Sequence, residues 1–152
     1  MSISASQVKE LREMSGVGMM ECKKALVETN GDLQQALDLL RANSSLKAEK
    51  KASRVAADGA VKVAETSSYV SLVEINSETD FAAKDAQFKD FTSSVADYLA
   101  SSQIDSIEVL NEAFDAQRQT LIQSIGENIQ SRRLSTLSIS DGGSTVSYTP
   151  LT

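Results

Sequence analysis

The chain has no histidine and a single cysteine, Cys22. A Ser-His-Asp or Cys-His nucleophile, a disulfide within the chain and a His/Cys zinc cage are therefore excluded. No apolar run approaches the ~20 residues of a membrane span, and Met1 to Ser6 is too short and uncharged for a signal or transit peptide. The expectation is a soluble intracellular protein, cytoplasmic. Basic charge is also in short supply. Fifteen Lys+Arg face 21 Asp+Glu, a net charge of −6, which argues against broad attraction to phosphate backbones. Neither nucleic acid nor membrane is an expected partner. What is there is 152 residues, one domain's worth at ~150 residues per domain, or two small ones.

Charge divides the chain. Residues 1–43 carry a net −1, residues 44–63 +3 and residues 64–152 −8. The stretch from Ser44 to Arg54 is polar, lacks a long apolar period and reads as a basic linker over 44–55, with room for a helical turn. Residues 1–43 read as three short helices. The first starts at a Ser4 or Ser6 cap, presents Val8, Leu11 and Met14, and is broken by Gly16-Val17-Gly18. The second, about Met19 to Glu28, buries Cys22, Ala25 and Leu26 and has Glu21 at the positive end of its dipole. The third opens with Asp32 and Gln35 in a capping-box arrangement and places Leu33, Ala36, Leu37 and Leu40 on one stripe. Some forty residues bury little surface, so this bundle reads as a marginally stable docking module.

Residues 56–152 change period. Val61 and Val63 alternate with Lys62 and Ala64, and Ser67-Ser68 turns the chain into Tyr69–Ile75, predicting a β-hairpin. Helical spacing follows from Lys84 to about Ala100, with Phe88, Phe91, Val95 and Leu99 aligned. It resumes from Ser106 to about Gly126, carrying Leu110, Phe114, Leu121 and Ile125. A strand is expected over roughly Ile129 to Ile139, with Asp141-Gly142-Gly143 turning into a last short strand through Val146 and Tyr148. The fold class is therefore α+β: a helical bundle, a linker, and a small antiparallel sheet packed with two longer helices.

Little in the sequence resembles an active site. Gly16-Val17-Gly18 is the only G-x-G, and it lies between two helices rather than after a strand, so it is a helix break and not a phosphate cradle. Glu74, Glu78, Asp80 and Asp85 lie close in sequence but have no obvious pocket partner, and acid-rich segments are usually solvated surface. Cys22 lacks a histidine to activate it and reads as a buried small hydrophobe. No catalytic residue, metal or cofactor is expected. The unusual segment is Asn76 to Asp85. Thr79 or Asp80 can cap the following helix. Phe81 is then either a staple residue packing back on the core or, with Asp80, an acidic-aromatic wedge projecting into a partner protein.

Four separated motifs carry a family resemblance. They are Val8-Lys9-Glu10-Leu11-Arg12 with Ser15–Leu26 and Asn30-Gly31-Asp32; Val55-Ala56-Ala57-Asp58-Gly59; Thr79–Ala86; and Ile125–Ile129 with Arg132-Arg133. Together they resemble the elongation factor Ts family up to about Arg133. The resemblance implies that residues 1–43 are an N-terminal bundle of the ubiquitin-associated type and that residues 56–152 are the first part of the family core. It also implies guanine nucleotide exchange on elongation factor Tu. Thr79, Asp80 and Phe81 would push into the partner's G domain near its magnesium and phosphates, while Arg12, Met19 and Met20 dock on a helix of that domain. Family members continue past this point with a second half of the core and often a coiled-coil insertion used in dimerisation, so the expectation is a compact member or a fragment. Two other classes fit the residues alone. One is an adaptor whose bundle binds a ubiquitin-like or peptide partner; the other is a carboxylate-dependent hydrolase using Glu78 and Asp85.

Overall fold

The computed structural model describes residues 3–140 and 143–148, and among them the chain forms six helices and three strands, an α+β fold. It divides into two compact units, Met1–Val55 with Ala116–Asn128, and Ala56–Asp115 with Ile129–Thr152.

The first unit starts with α1 (Ala5–Ser15), α2 (Met19–Glu28) and α3 (Leu33–Lys51). Ser4 caps α1 reciprocally with Gln7: the Gln7 amide donates to Ser4 Oγ at 3.2 Å, and the Ser4 amide donates to Gln7 Oε1 at 3.0 Å. This satisfies two of the orphan donors at the helix start. Gly16, at φ +68°, ends α1 by donating its amide to the Arg12 carbonyl. Asp32 caps α3 through the Gln35 amide at 2.9 Å. The helices close over Val8, Leu11, Val17, Cys22, Leu26, Leu37 and Leu40, each larger side chain contributing about 1.5–3 kcal/mol when fully buried.

The expected linker is helix over most of its length. Residues 44–51 continue α3 to Lys51. Ser44 and Ala48 extend the Leu40 stripe at i+4 spacing and are buried, and Ser44 Oγ satisfies itself by donating to the Leu40 carbonyl at 2.9 Å. Their cover comes from far along the chain. α6 (Ile107–Ile125) runs from the second unit into the first, where Gln123 hydrogen-bonds Ser44, Lys51 Nζ donates to the Gly126 carbonyl at 2.6 Å, and Asn128 Nδ2 donates to the Arg54 carbonyl at 2.7 Å. Lys50 and Lys51 in the last turn also suit the negative end of the α3 dipole.

The second unit is built on an antiparallel sheet in the order β1 (Asp58–Glu65), β2 (Tyr69–Ser77), β3 (Gln130–Ser138). The β1–β2 hairpin runs in unbroken register from Asp58 opposite Ser77 to Glu65 opposite Val70. Alternation along β2 turns Ser71, Val73 and Ile75 inward. There they meet α5 (Ala86–Ser102), whose Phe88, Phe91, Val95 and Leu99 are buried, and Ser71 Oγ donates to the Ala96 carbonyl at 2.7 Å. Phe114 of α6 stands edge-on to Phe91 and Tyr98, at centroid separations of 6.0 and 5.2 Å.

Two expectations for this unit are corrected. The helix expected from Lys84 to about Ala100 is α5, which starts only at Ala86, because Asp85 is extended (ψ 142°) and its carboxylate caps α5 through the Gln87 amide at 2.8 Å; a separate short helix, α4 (Asp80–Lys84), precedes it. Nor is a last short strand through Val146 and Tyr148 present among the described residues. Residues 143–148 are exposed and irregular, and Thr145 is tied to the sheet through its hydroxyl on the Glu65 carboxylate rather than by ladder pairing. Asp141 and Gly142 lie outside the described residues.

Candidate protein-contact residues

Arg12, Met19 and Met20 flank one turn of the first unit. Gly16 leaves α1 in a left-handed conformation, and Val17 then turns inward to 3% exposure, where its carbonyl accepts from the Cys22 thiol at 3.5 Å. With Val17 taken up by the core, α2 starts at Gly18 and its first two side chains point outward: Met19 is 47% and Met20 68% exposed. Arg12 is exposed in the last turn of α1. Two adjacent solvent-facing methionines make an adaptable apolar contact surface. Cys22 itself is fully buried in the bundle core.

Thr79, Asp80 and Phe81 are brought together in the second unit. Only Glu78 and Thr79 separate β2 from α4. Ser77 Oγ donates to the Thr79 carbonyl at 2.9 Å, and Thr79 Oγ1 accepts from the Ala82 amide at 3.3 Å, making Thr79 the N-cap. Asp80 then sits in the first turn and pairs with Lys84 at 2.6 Å. The Lys84 ammonium holds the Asp80 carboxyl below its ordinary range, and Asp80 in turn raises the lysine. Ala82 faces the core at 5% exposure, so the preceding residue faces out, and Phe81 is 80% exposed. The staple alternative for Phe81 is thereby removed.

Three of the four neighbouring carboxylates have structural partners. Asp80 is paired with Lys84, Asp85 caps a helix, and Glu74 is held by Arg132 and Arg133. Among the described residues no group of three or more acidic or cysteine side chains is arranged to hold a metal, and no helix is long and apolar enough to cross a membrane. A hollow of about 710 Å³ lies on the sheet face opposite α5, bounded by Leu72, Leu137, Val146 and Tyr148, and none of the candidate residues lines it.

Sequence reasoning missed the ties behind the Phe81 turn. Glu74 accepts from Arg132 Nη1 at 3.0 Å, from Arg133 Nε and from Asn76 Nδ2 at 3.1 Å, and these donors lower its pKa to about 2, Arg132 contributing most. Both arginines reach one carboxylate because β3 carries an extra residue there: Glu74 is opposite Arg133 and Ile75 opposite Ser131, leaving Arg132 over. Alternation alone gives no signal for such a bulge. Gly59 was legible only as a motif residue. Its φ is +140°, and a Cβ there would meet the Ile75 carbonyl oxygen at 2.2 Å, so β1 approaches β2 too closely for any side chain.

A helical unit with an exposed methionine pair, and an α+β unit with an outward aromatic on a capped turn, make a two-unit α+β chain with apolar side chains presented to solvent on short, well-fixed turns. Residues 78–150 match the family described as Elongation factor TS. The chain is 53% identical to Elongation factor Ts of Teredinibacter turnerae over 151 residues, covering 97% of this chain and 51% of that protein. It is 52% identical to that of Hahella chejuensis over 140 residues (90% and 49%) and 47% identical to that of Shewanella sp. strain ANA-3 over 148 residues (97% and 51%). The chain is thus similar to elongation factor Ts proteins, and it spans about half the length of the curated relatives it matches.

Proposed function

We propose that this chain acts in translation elongation as a nucleotide exchange factor, binding elongation factor Tu and speeding its release of GDP without making or breaking a bond. The observation that carries the reading is the Phe81 ring, 80% exposed on a turn whose backbone is fixed by the Thr79 cap. Its burial is worth about 1.5–3 kcal/mol, a gain the free chain forgoes and a partner surface collects. In this reading Thr79, Asp80 and Phe81 enter the partner's G domain beside its magnesium and phosphates. Arg12, Met19 and Met20 dock on a helix of the same domain, so residues 1–43 serve docking and residues 56–152 serve release. The chain itself holds no nucleotide.

The mechanism is linkage. A protein that expels GDP must bind the nucleotide-free partner more tightly than the GDP-bound one, and the two preferences are the same factor. Burial of Phe81 supplies one to two decades of that factor, at about 1.4 kcal/mol per decade, and the remainder comes from loosened magnesium coordination and a distorted phosphate loop. Stopped-flow release of a fluorescent GDP from purified elongation factor Tu, with and without the chain, tests the reading. Acceleration is expected. Binding without acceleration would overturn it and leave the helical unit as a plain adaptor.

A further inference from the structure

The Phe81 ring has no packing of its own to hold it, so its presentation depends on what fixes α4, and α4 is joined to β2 by only Glu78 and Thr79. The end of β2 is therefore the base of the protrusion. Three ties converge there. Glu74 takes Arg132 and Arg133 of β3 on its two oxygens. Asn76, on the same face of β2, donates both to Glu74 Oε1 and to the Asp58 carbonyl, each at 3.1 Å, which links the carboxylate to the first residue of β1. Gly59 lets that part of β1 press on the Ile75 and Asn76 backbone. The Glu74 side chain is only 12% exposed although both guanidinium groups are open to solvent. Such a charge-assisted, two-oxygen arrangement has more geometric definition than a lone surface pair.

We propose that Glu74 is a positioning residue for the Phe81 turn: through Arg132, Arg133 and Asn76 it locks the three strands together at the sheet end from which α4 springs, and so fixes where the ring is presented. The inference rests on the exchange reading, and it concerns the order of the protrusion rather than its chemistry. Holding a group in place matters most in the step that uses it, and an ångström of misplacement costs up to about a hundredfold. Glu74 thus bears on the limiting rate of GDP release from the formed complex and, by linkage, on affinity for the nucleotide-free partner, but not on affinity for the GDP-bound partner, which in this reading the methionine pair sets.

The test pairs Glu74→Gln with a control, Thr136→Val, which removes the hydrogen bond from Thr136 Oγ1 to the Ile104 carbonyl (2.9 Å) farther along β3. Amide hydrogen exchange of the free chain is read over residues 78–85, where the Ala82 and Ala83 amides donate to Thr79. Stopped-flow GDP release is read as limiting rate and half-saturating concentration. Glu74→Gln is expected to speed amide exchange in this segment and to lower the limiting rate by roughly tenfold, with an unchanged half-saturating concentration. Thr136→Val is expected to do neither. Unchanged amide exchange in Glu74→Gln overturns the proposal, as does an equal effect of Thr136→Val, which would mark general loss of stability. Faster amide exchange with an unaltered limiting rate also overturns it while sparing the exchange reading. If the unaltered chain fails to accelerate release, the exchange reading falls, and the amide data alone still decide whether Glu74 orders the turn.

Discussion

Phe81 and Gly59 sit a short way apart in the second unit and represent opposite constraints on a single residue. The Phe81 ring touches little of its own chain, so Phe81→Ala is expected to change unfolding free energy by less than about 0.5 kcal/mol. If Phe81 is buried by the partner as proposed, the same substitution removes about 1.5–3 kcal/mol of that contact. GDP release at saturating chain should slow by roughly ten- to a hundredfold, with a urea unfolding midpoint unmoved. A shifted midpoint would mean the ring has a structural role that its exposure denies. Gly59→Ala should behave the other way. A methyl group at φ +140° placed 2.2 Å from the Ile75 carbonyl forces β1 off β2, and a side chain in this backbone region alone costs about 1–3 kcal/mol. The unfolding free energy should fall by at least that much, read as a lowered urea midpoint, and on the proposed reading GDP release should slow in parallel because β1 braces the strand end beneath Phe81.

α3 shows why some elements are readable and others are not. Its first half announces itself by the Asp32 cap and the Leu33–Leu40 stripe, whereas its second half buries only Ser44 and Ala48, residues too small to register as an apolar period. What covers them is the end of α6, nearly eighty residues away in sequence for the Ser44–Gln123 pair, and no local pattern reports that. Ala48→Asp would place an unpaired carboxylate at a site 5% exposed and is expected to cost about 3 kcal/mol, seen as lost helical circular dichroism and an earlier thermal transition; a true linker would tolerate it. By contrast α2, the hairpin and the Thr79 turn were legible, because Gly18, Asn30-Gly31 and the Ser/Thr caps punctuate them chemically. Whether Phe81 pointed in or out was not, since that depends on Ala82 taking the inward position. The β3 bulge escaped for the same reason as α3: it is a property of pairing, not of one strand. Its consequence is titratable. Glu74 has its pKa lowered from 4.5 to about 2 by Arg132, Asn76 and Arg133, so its stabilisation is fully present above pH 4.5 and fades as pH falls through about 2. The stability gap between the unaltered chain and Glu74→Gln, measured by urea unfolding, should therefore be constant near neutrality and close between pH 4.5 and 2; a gap independent of pH would show that the charge is not what matters.

At the scale of the whole molecule, the two sets of residues proposed to contact the partner lie in different compact units, Arg12, Met19 and Met20 in the one containing Met1–Val55 and Thr79, Asp80 and Phe81 in the one containing Ala56–Asp115. A chain that docks with one unit and expels nucleotide with the other should show separable defects. Met19→Ala combined with Met20→Ala is expected to raise the half-saturating concentration for GDP release with little change in the limiting rate, the converse of Phe81→Ala. Thermodynamics adds a constraint that no arrangement of contacts can evade. If the chain weakens GDP binding to elongation factor Tu by a hundredfold, GDP must weaken the partner's grip on the chain by the same hundredfold, about 2.8 kcal/mol at 1.4 kcal/mol per decade. Titrating the chain into nucleotide-free and GDP-loaded partner by calorimetry gives one leg, and GDP affinity with and without saturating chain gives the other. Phe81→Ala should shrink both legs by equal factors, because the ring is engaged only in the nucleotide-free complex. The methionine pair should weaken binding to both partner forms alike and leave the ratio standing. A methionine variant that altered the ratio would move those residues from docking into the release step itself.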